Sequence, residues 1–251
     1  MTRYVALACL GFWAALALTA PWISPHDPLQ IHLEDNLAPP SDHYPLGTDL
    51  LGRDIASRLL YGARHSLATA ALATALAAGG GLLIGGGHYL LGAWGQAILD
   101  SCLNAFLAIP PLLLAMVVIT LWPEGLILAL ALSNLAPYGR LAGEVLGGVS
   151  KAAYVEGAVA IGARRGHLLR QHLWPNSRPL LLRFAAVIFA WSLLNGAALS
   201  FLGLVGEPDA PHWGLMLAAG RQTFAQAPSE ALSAGLALSS LIWAANRLAG
   251  A

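Results

Sequence analysis

Charge is scarce in this chain: Asp, Glu, Lys and Arg make up 10% of its 251 residues while hydrophobic residues make up 57%. An ordinary soluble domain carries roughly 25% charged residues. Too little polar side chain is present to cover a 26.1 kDa globule in water, so most soluble folds are excluded and much of the surface must face lipid. A mean hydropathy of +0.64 excludes disorder for the same reason. Lysine occurs once, as Lys151, and the formal net charge is zero, so there is no general basic field for nucleic acid. Cysteine is also rare, and Cys9 and Cys102 both lie in apolar runs, where a free cysteine behaves as a small hydrophobe; no disulfide framework is implied.

Several catalytic signatures are missing too. Without a Gly-x-x-x-x-Gly-Lys-Ser/Thr loop the chain has no phosphate cradle, so a partner would have to bind any ATP. His-Glu-x-x-His and Gly-x-Ser-x-Gly are absent, and His167 and His172 stand five apart rather than the four of a helical zinc pair. No catalytic residue, metal site or cofactor is expected. Ionisable side chains are likewise missing from the middle of the apolar runs, where their cost would make them informative. Asp100, Arg183, Glu230 and Arg247 fall near run ends, and His88 closes the second run. Energy for transport must then come from elsewhere, or transport is passive.

What is present is six apolar stretches of about spanning length, at 4–23, 66–90, 96–122, 125–141, 179–204 and 229–247. The first exceeds a signal-peptide h-region and is followed by Pro21, so it reads as a retained helix. Residues 140–183 hold seven of the thirteen basic residues, which places that loop in the cytoplasm. Six spans then put both termini inside and residues 24–65 and 205–228 outside, where Asp27, Glu34, Asp35, Asp42, Asp49, Asp54, Glu207 and Asp209 gather. Gly79–Gly81 and Gly85–Gly87 give small-xxx-small spacings suited to a helix interface, and Pro110-Pro111 predicts a kink in the third span. The division is an N-terminal helix with its outer segment, 1–65, and a five-helix core, 66–251, carrying a cytoplasmic loop at 142–178.

Two loops carry the functional signal. In the cytoplasmic loop, Val155, Ala158, Val159 and Ile161 predict an apolar patch on one short helix, and Gly162 suits its left-handed end. Leu168, Leu169 and Leu173 recur on a second helix that Pro175 is expected to stop. Such a pair is either a lipid-surface element or a docking knob for a cytoplasmic partner. In the outer segment, Thr48 or Asp49 could cap a helix whose face carries Leu51, Ile55 and Leu59, with Asp54 paired to Arg58, lying at the membrane surface.

Glu156-x-Ala158, Gly162 and Pro175-Asn176 resemble the EAA loop of ABC importer permeases, departing from it at Gly157 and Trp174. Leu-Gly47-Thr48-Asp49-Leu-Leu-Gly52-Arg53-Asp54 is similar to the segment before the second span in the second permease subunit of the dipeptide, oligopeptide and nickel branch, and 198–221 also resembles that branch. The resemblance implies an all-α, six-helix type I importer permease in a bacterial or archaeal cytoplasmic (inner) membrane. It implies a heterodimer with a second homologous permease, two ABC ATPase subunits and an extracytoplasmic solute-binding protein, with Tyr154, Val155, Glu156, Ala158, Gly162, Ala163, Pro175 and Asn176 in the ATPase-coupling loop. Di- or oligopeptides are the expected substrates. Nickel or another chelated metal is the alternative, because His26, His32, His43, His65 and His212 lie on the predicted outer side. A membrane enzyme and a passive channel are the readings from other classes.

Overall fold

The computed structural model describes residues 2–206 and 209–250; Glu207, one of the outer acids, lies outside them. Among the described residues the chain is all-α, with one isolated bridge between Thr48 and Asp54. The helices are α1 (Thr2–Ile23), α2 (Ile55–Leu90), α3 (Ala93–Leu107), α4 (Pro111–Leu121), α5 (Leu126–Ser150), α6 (Ala153–Ala160), α7 (Arg165–Leu168), α8 (Trp174–Phe201), α9 (Trp213–Gln222) and α10 (Ser229–Ala249). A wide π-type turn, Leu169–Leu173, joins α7 to α8. α2 occupies the centre, packed on α5, α8 and α1, and α10 closes the bundle against α8, α9 and α1.

Four helices, Arg3–Ile23, Ile55–Leu90, Leu126–Ser150 and Arg165–Phe201, are long and apolar enough to cross a membrane, and α3 with α4 makes a fifth if the bent pair is one span. The expected third span is thus two helices meeting at 84°. Pro110 and Pro111 cause the break: neither offers an N–H to the preceding turn, and Pro111 instead opens α4. α10 has span length at 21 residues but is less apolar, with Glu230, Ser233, Ser239 and Ser240. Much of its apolar surface meets protein rather than lipid: Ala234, Ala237, Leu238, Leu241, Ala244 and Ala245 are buried, and Ser240 Oγ accepts from Trp13 Nε1 of α1 at 2.9 Å.

Three boundaries differ from the sequence expectation. α2 begins at Ile55, eleven residues before its apolar run, because Asp54 caps it and the outer segment covers its first turns. Its 36 residues make about 54 Å of helix, well beyond the roughly 30 Å hydrocarbon core. α5 runs through Pro137 to Ser150, so Arg140 and Glu144, expected in the loop, lie within a span-length helix. The basic stretch 140–183 is accordingly helical over most of its length. Pro175 does not stop the second loop helix; it occupies the first turn of α8, where no N–H is required, and the π-type turn before it supplies the space.

The expected glycine interface forms on one face of α2. A Cβ at Gly85 would lie 2.5 Å from Ala142 Cβ and 2.7 Å from the Gly143 nitrogen; one at Gly81 would lie 2.8 Å from Tyr138 Cδ1. Gly79 and Gly87 would meet nothing within 4 Å, so only part of each triplet serves the contact with α5. Gly85→Leu is therefore expected to lower stability by at least the roughly 1–3 kcal/mol of overpacking. Thermal unfolding in detergent should show the drop, with Gly87→Leu unchanged as the control.

Candidate functional site

The loop at 142–178, expected in the cytoplasm, folds as a helical hairpin pinned by one apolar cluster. Val155 of α6 is buried with Leu146 of α5 and with Leu168 and Leu173, while Ala158, Ala163 and Leu169 pack partly against them. The expected apolar patch is thus divided: Val155 turns inward, and Tyr154, Val159 and Ile161 turn out, Ile161 being 88% exposed. Glu156, Pro175 and Asn176 are also exposed. Gly162 takes φ +89°, donates to Val159 O at 2.9 Å, and Ala163 donates to Ala158 O at 3.0 Å. These two bonds form a Schellman ending, for which a left-handed residue is required. Asn176 Nδ2 donates to His172 O at 2.6 Å, and Arg165 donates to Leu90 O at 3.2 Å, tying the hairpin to the end of α2. The result is a knob whose exposed surface is apolar at Tyr154 and Ile161 and basic at Arg164 and Arg170.

The 47–54 motif, expected on the outer side, is a buried clasp, not a surface helix. Residues 45–54 form turns in which Thr48, Asp49, Arg53 and Asp54 are all buried. Asp54, rather than Thr48 or Asp49, caps α2, accepting from Ser57 N at 3.0 Å and Ala56 N at 3.3 Å. Thr48 bonds to the Asp35 carbonyl and accepts from Ala38 N at 2.8 Å. Gly52 has φ +73°, and a Cβ there would fall 1.7 Å from His32 O. At Gly47, with φ +78°, a Cβ would fall 2.5 Å from Ala38 O.

Arg58 pairs with Asp49, not Asp54: its Nε lies 3.6 Å from Asp49 Oδ2. Asp49 also accepts from the backbone of Leu51 and Arg53, each at 2.9 Å, and from Arg53 Nε at 2.7 Å. Arg53 reaches Asp209 Oδ1 at 2.9 Å and Arg58 reaches the Asp209 carbonyl at 3.1 Å, so the clasp holds the loop after α8. Asp209 and the buried Glu230 had no local sequence signal for this neighbourhood, because the clasp draws on segments more than 150 residues apart. Trp213 completes the join, donating to Leu59 O at 3.0 Å beneath Trp13.

The outer histidines are spread through this packing. His26 meets His43 edge to face and lies 3.4 Å from Asp54, while His65 and His212 pair at 4.9 Å between ring centroids. His32, Glu34 and Asp35 bring potential ligand atoms within 4.8 Å of one another, though Glu34 is open to solvent and Asp35 already accepts from Tyr44 Oη. That bond raises the Tyr44 pKa. Burial, with His65 alongside, pushes His212 down to about 4.

An imidazole held below its ordinary value of 6.5 is protonated first in the unfolded chain. Its contribution to stability is complete above that value and is lost as the pH falls towards 4. His212→Gln should therefore flatten the decline in unfolding temperature measured between pH 7 and pH 4.5, whereas a parallel decline would contradict the assignment.

Residues 77–250 match the family model described as binding-protein-dependent transport system inner membrane component, and residues 3–40 match the N-terminal TM domain of oligopeptide transport permease C. The chain is 35% identical to the probable D,D-dipeptide transport system permease protein of Escherichia coli (strain K12), over 82% of this chain and 70% of that one. It is 30% identical to the dipeptide transport system permease protein of Alkalihalophilus pseudofirmus, over 97% of this chain and 81% of that one. With the glutathione transport system permease protein of Escherichia coli O157:H7 the identity is 34%, over 93% and 78% of the respective chains. The chain therefore belongs to the inner-membrane components of binding-protein-dependent transport systems, as a multi-pass, non-catalytic permease subunit that works with ATPase and solute-binding partners.

Proposed function

We propose that this chain is the second of two homologous permease subunits in an importer of di- or oligopeptides, and that the 142–178 hairpin is its docking element for an ABC ATPase. The observation that carries the docking role is the pair of exposed apolar side chains on one side of α6 and its end, Tyr154 and Ile161, held on a hairpin that is itself anchored by Val155 and closed at Gly162. Apolar side chains on a cytoplasmic knob suit a groove on a soluble partner. Tyr154, Glu156, Ala158, Ala163, Pro175 and Asn176 complete the coupling set, and the 47–54 clasp serves to hold the outer face. ATP binding would draw two ATPase subunits together, and the hairpin would convert that motion into alternation between outward and inward openings. Such coupling requires contacts that differ between the two states.

The peptide substrate rests on the similarity to permease proteins of dipeptide and glutathione transport systems. The outer histidines give nickel no separate support, since four of them are engaged as ring pairs. On this reading the chain crosses six times, with α3–α4 and α10 counted as spans, both termini lie in the cytoplasm, and the N-terminal helix with its outer segment divides from the core at residue 65.

ATP-dependent uptake of L-alanyl-L-alanine by proteoliposomes holding the co-encoded subunits tests the function; flux unaffected by ATP depletion would indicate a passive channel. Gln30→Cys and Ala160→Cys, both at exposed positions, should label from opposite sides of the membrane.

A further inference from the structure

Charged side chains exposed on membrane-spanning helices cannot face lipid cheaply; they mark water-filled paths or polar interfaces. α5 presents two of them, Arg140 with 50% and Glu144 with 64% of the side chain exposed, and α3 adds Asp100 at 57%. Arg140 and Glu144 lie about 21 and 27 Å along α5 from its first residue, within the depth of a bilayer core. These groups do not scatter. They line one open-sided cavity of about 940 Å³ together with His88, Gln96 and Asn104.

The cavity wall is organised by charge. Arg140 Nη1 donates to Asn104 Oδ1 at 2.7 Å and its Nε pairs with Glu144 at 3.1 Å, while His88 Nε2 lies 3.2 Å from Asp100. Anionic and cationic groups thus stand side by side in a volume near the upper end of the roughly 300–1,000 Å³ that holds small ligands. The same cavity is bordered by Val155, Val159 and Arg165 of the hairpin, so movement of the docking element would reshape it directly.

We propose that this cavity is a hydrated vestibule in the cytoplasmic half of the transport pathway and receives a zwitterionic peptide, its carboxylate on Arg140 and its ammonium on Glu144 and Asp100. Charge-assisted bonds of both signs select a molecule carrying both termini free. The inference deepens the peptide-importer reading and rests on it for the ligand class.

Gly148 lines the cavity one turn beyond Glu144, and an added Cβ there meets nothing within 4 Å, which makes Gly148→Cys a reporter that leaves the wall intact. In the assembled importer, with Cys9 and Cys102 replaced by alanine, a membrane-impermeant methanethiosulfonate should modify this cysteine from the cytoplasmic side. L-alanyl-L-alanine should slow the modification at least fivefold, and its N-acetylated, C-amidated form should not.

Arg140→Gln should remove the protection without reducing co-purification of the subunits. A cysteine that the polar reagent never reaches would show the cavity to be filled by a partner helix and overturn the proposal, and equal protection by the blocked peptide would overturn the zwitterion assignment. Failure of wild-type uptake with normal labelling and protection would count against the importer reading alone.

Discussion

Gly162→Trp is expected to abolish ATP-dependent uptake while membrane insertion and the labelling pattern of the hairpin's flanks stay normal. The residue holds φ +89° in the open, with no atom within 4 Å of where a Cβ would stand. The first cost is therefore conformational. A non-glycine residue in the left-handed region costs about 1–2 kcal/mol, which presses the Schellman ending to rearrange. The second cost falls on the partner: an indole would project beside the exposed Ile161. An exposed position spares the chain's own core, so Val155, Leu168 and Leu173 remain packed and the subunit persists. Gly162→Ala separates the two costs, because it imposes the strain without the bulk and should leave measurable uptake. Normal uptake by the tryptophan variant, or loss of the subunit from the membrane, would each remove the coupling role assigned here.

Local geometry was legible in the sequence where one residue type answers one backbone demand. Gly162 marks the end of α6 because little else tolerates the conformation, and the paired prolines at 110 and 111 mark the break between α3 and α4. Pro175 gave the wrong expectation for an instructive reason: the π-type turn at Leu169–Leu173 places it in the first turn of α8, where no donor is needed. The glycine triplets gave the interface but not its register, since Gly81 and Gly85 touch α5 while Gly79 and Gly87 do not. The outer motif was recognised as a pattern and misread as a helix from Thr48 or Asp49, whereas the helix starts at Ile55 and the Asp54 carboxylate is taken up in capping it instead of pairing with Arg58. The real partners, Asp49 and Asp209, depend on turns and on a loop brought from the far end of the chain. Glu144 escaped notice because α5 extends beyond its apolar run, and Arg140, at the end of that run, was counted with the basic loop.

Asp49→Ala should destabilise the protein more than any other single change in the outer clasp. The carboxylate is 2% exposed and answers two backbone N–H groups and two guanidinium groups, those of Arg53 and Arg58, which are themselves 7% and 2% exposed. Truncation leaves both cations buried without their shared counter-ion, and breaking a buried pair in this way costs about 3–5 kcal/mol. Asp209→Ala also removes a partner of Arg53, but its side chain is 67% exposed, and solvated pairs contribute about 0–1 kcal/mol. Burial rather than bond length decides the ranking, since the Arg53 bonds to Asp49 and Asp209 are 2.7 and 2.9 Å. Thermal unfolding of the purified subunit in detergent should therefore fall by about 10 °C for Asp49→Ala, at about 2–4 °C per kcal/mol for a chain of this size, and scarcely move for Asp209→Ala. Asp49→Asn keeps an acceptor while losing the charge, and belongs between the two. Equal shifts for Asp49→Ala and Asp209→Ala would mean that water reaches the clasp, and that its arginines are held by the backbone carbonyls of Pro28 and Asp209 instead of by the buried carboxylate.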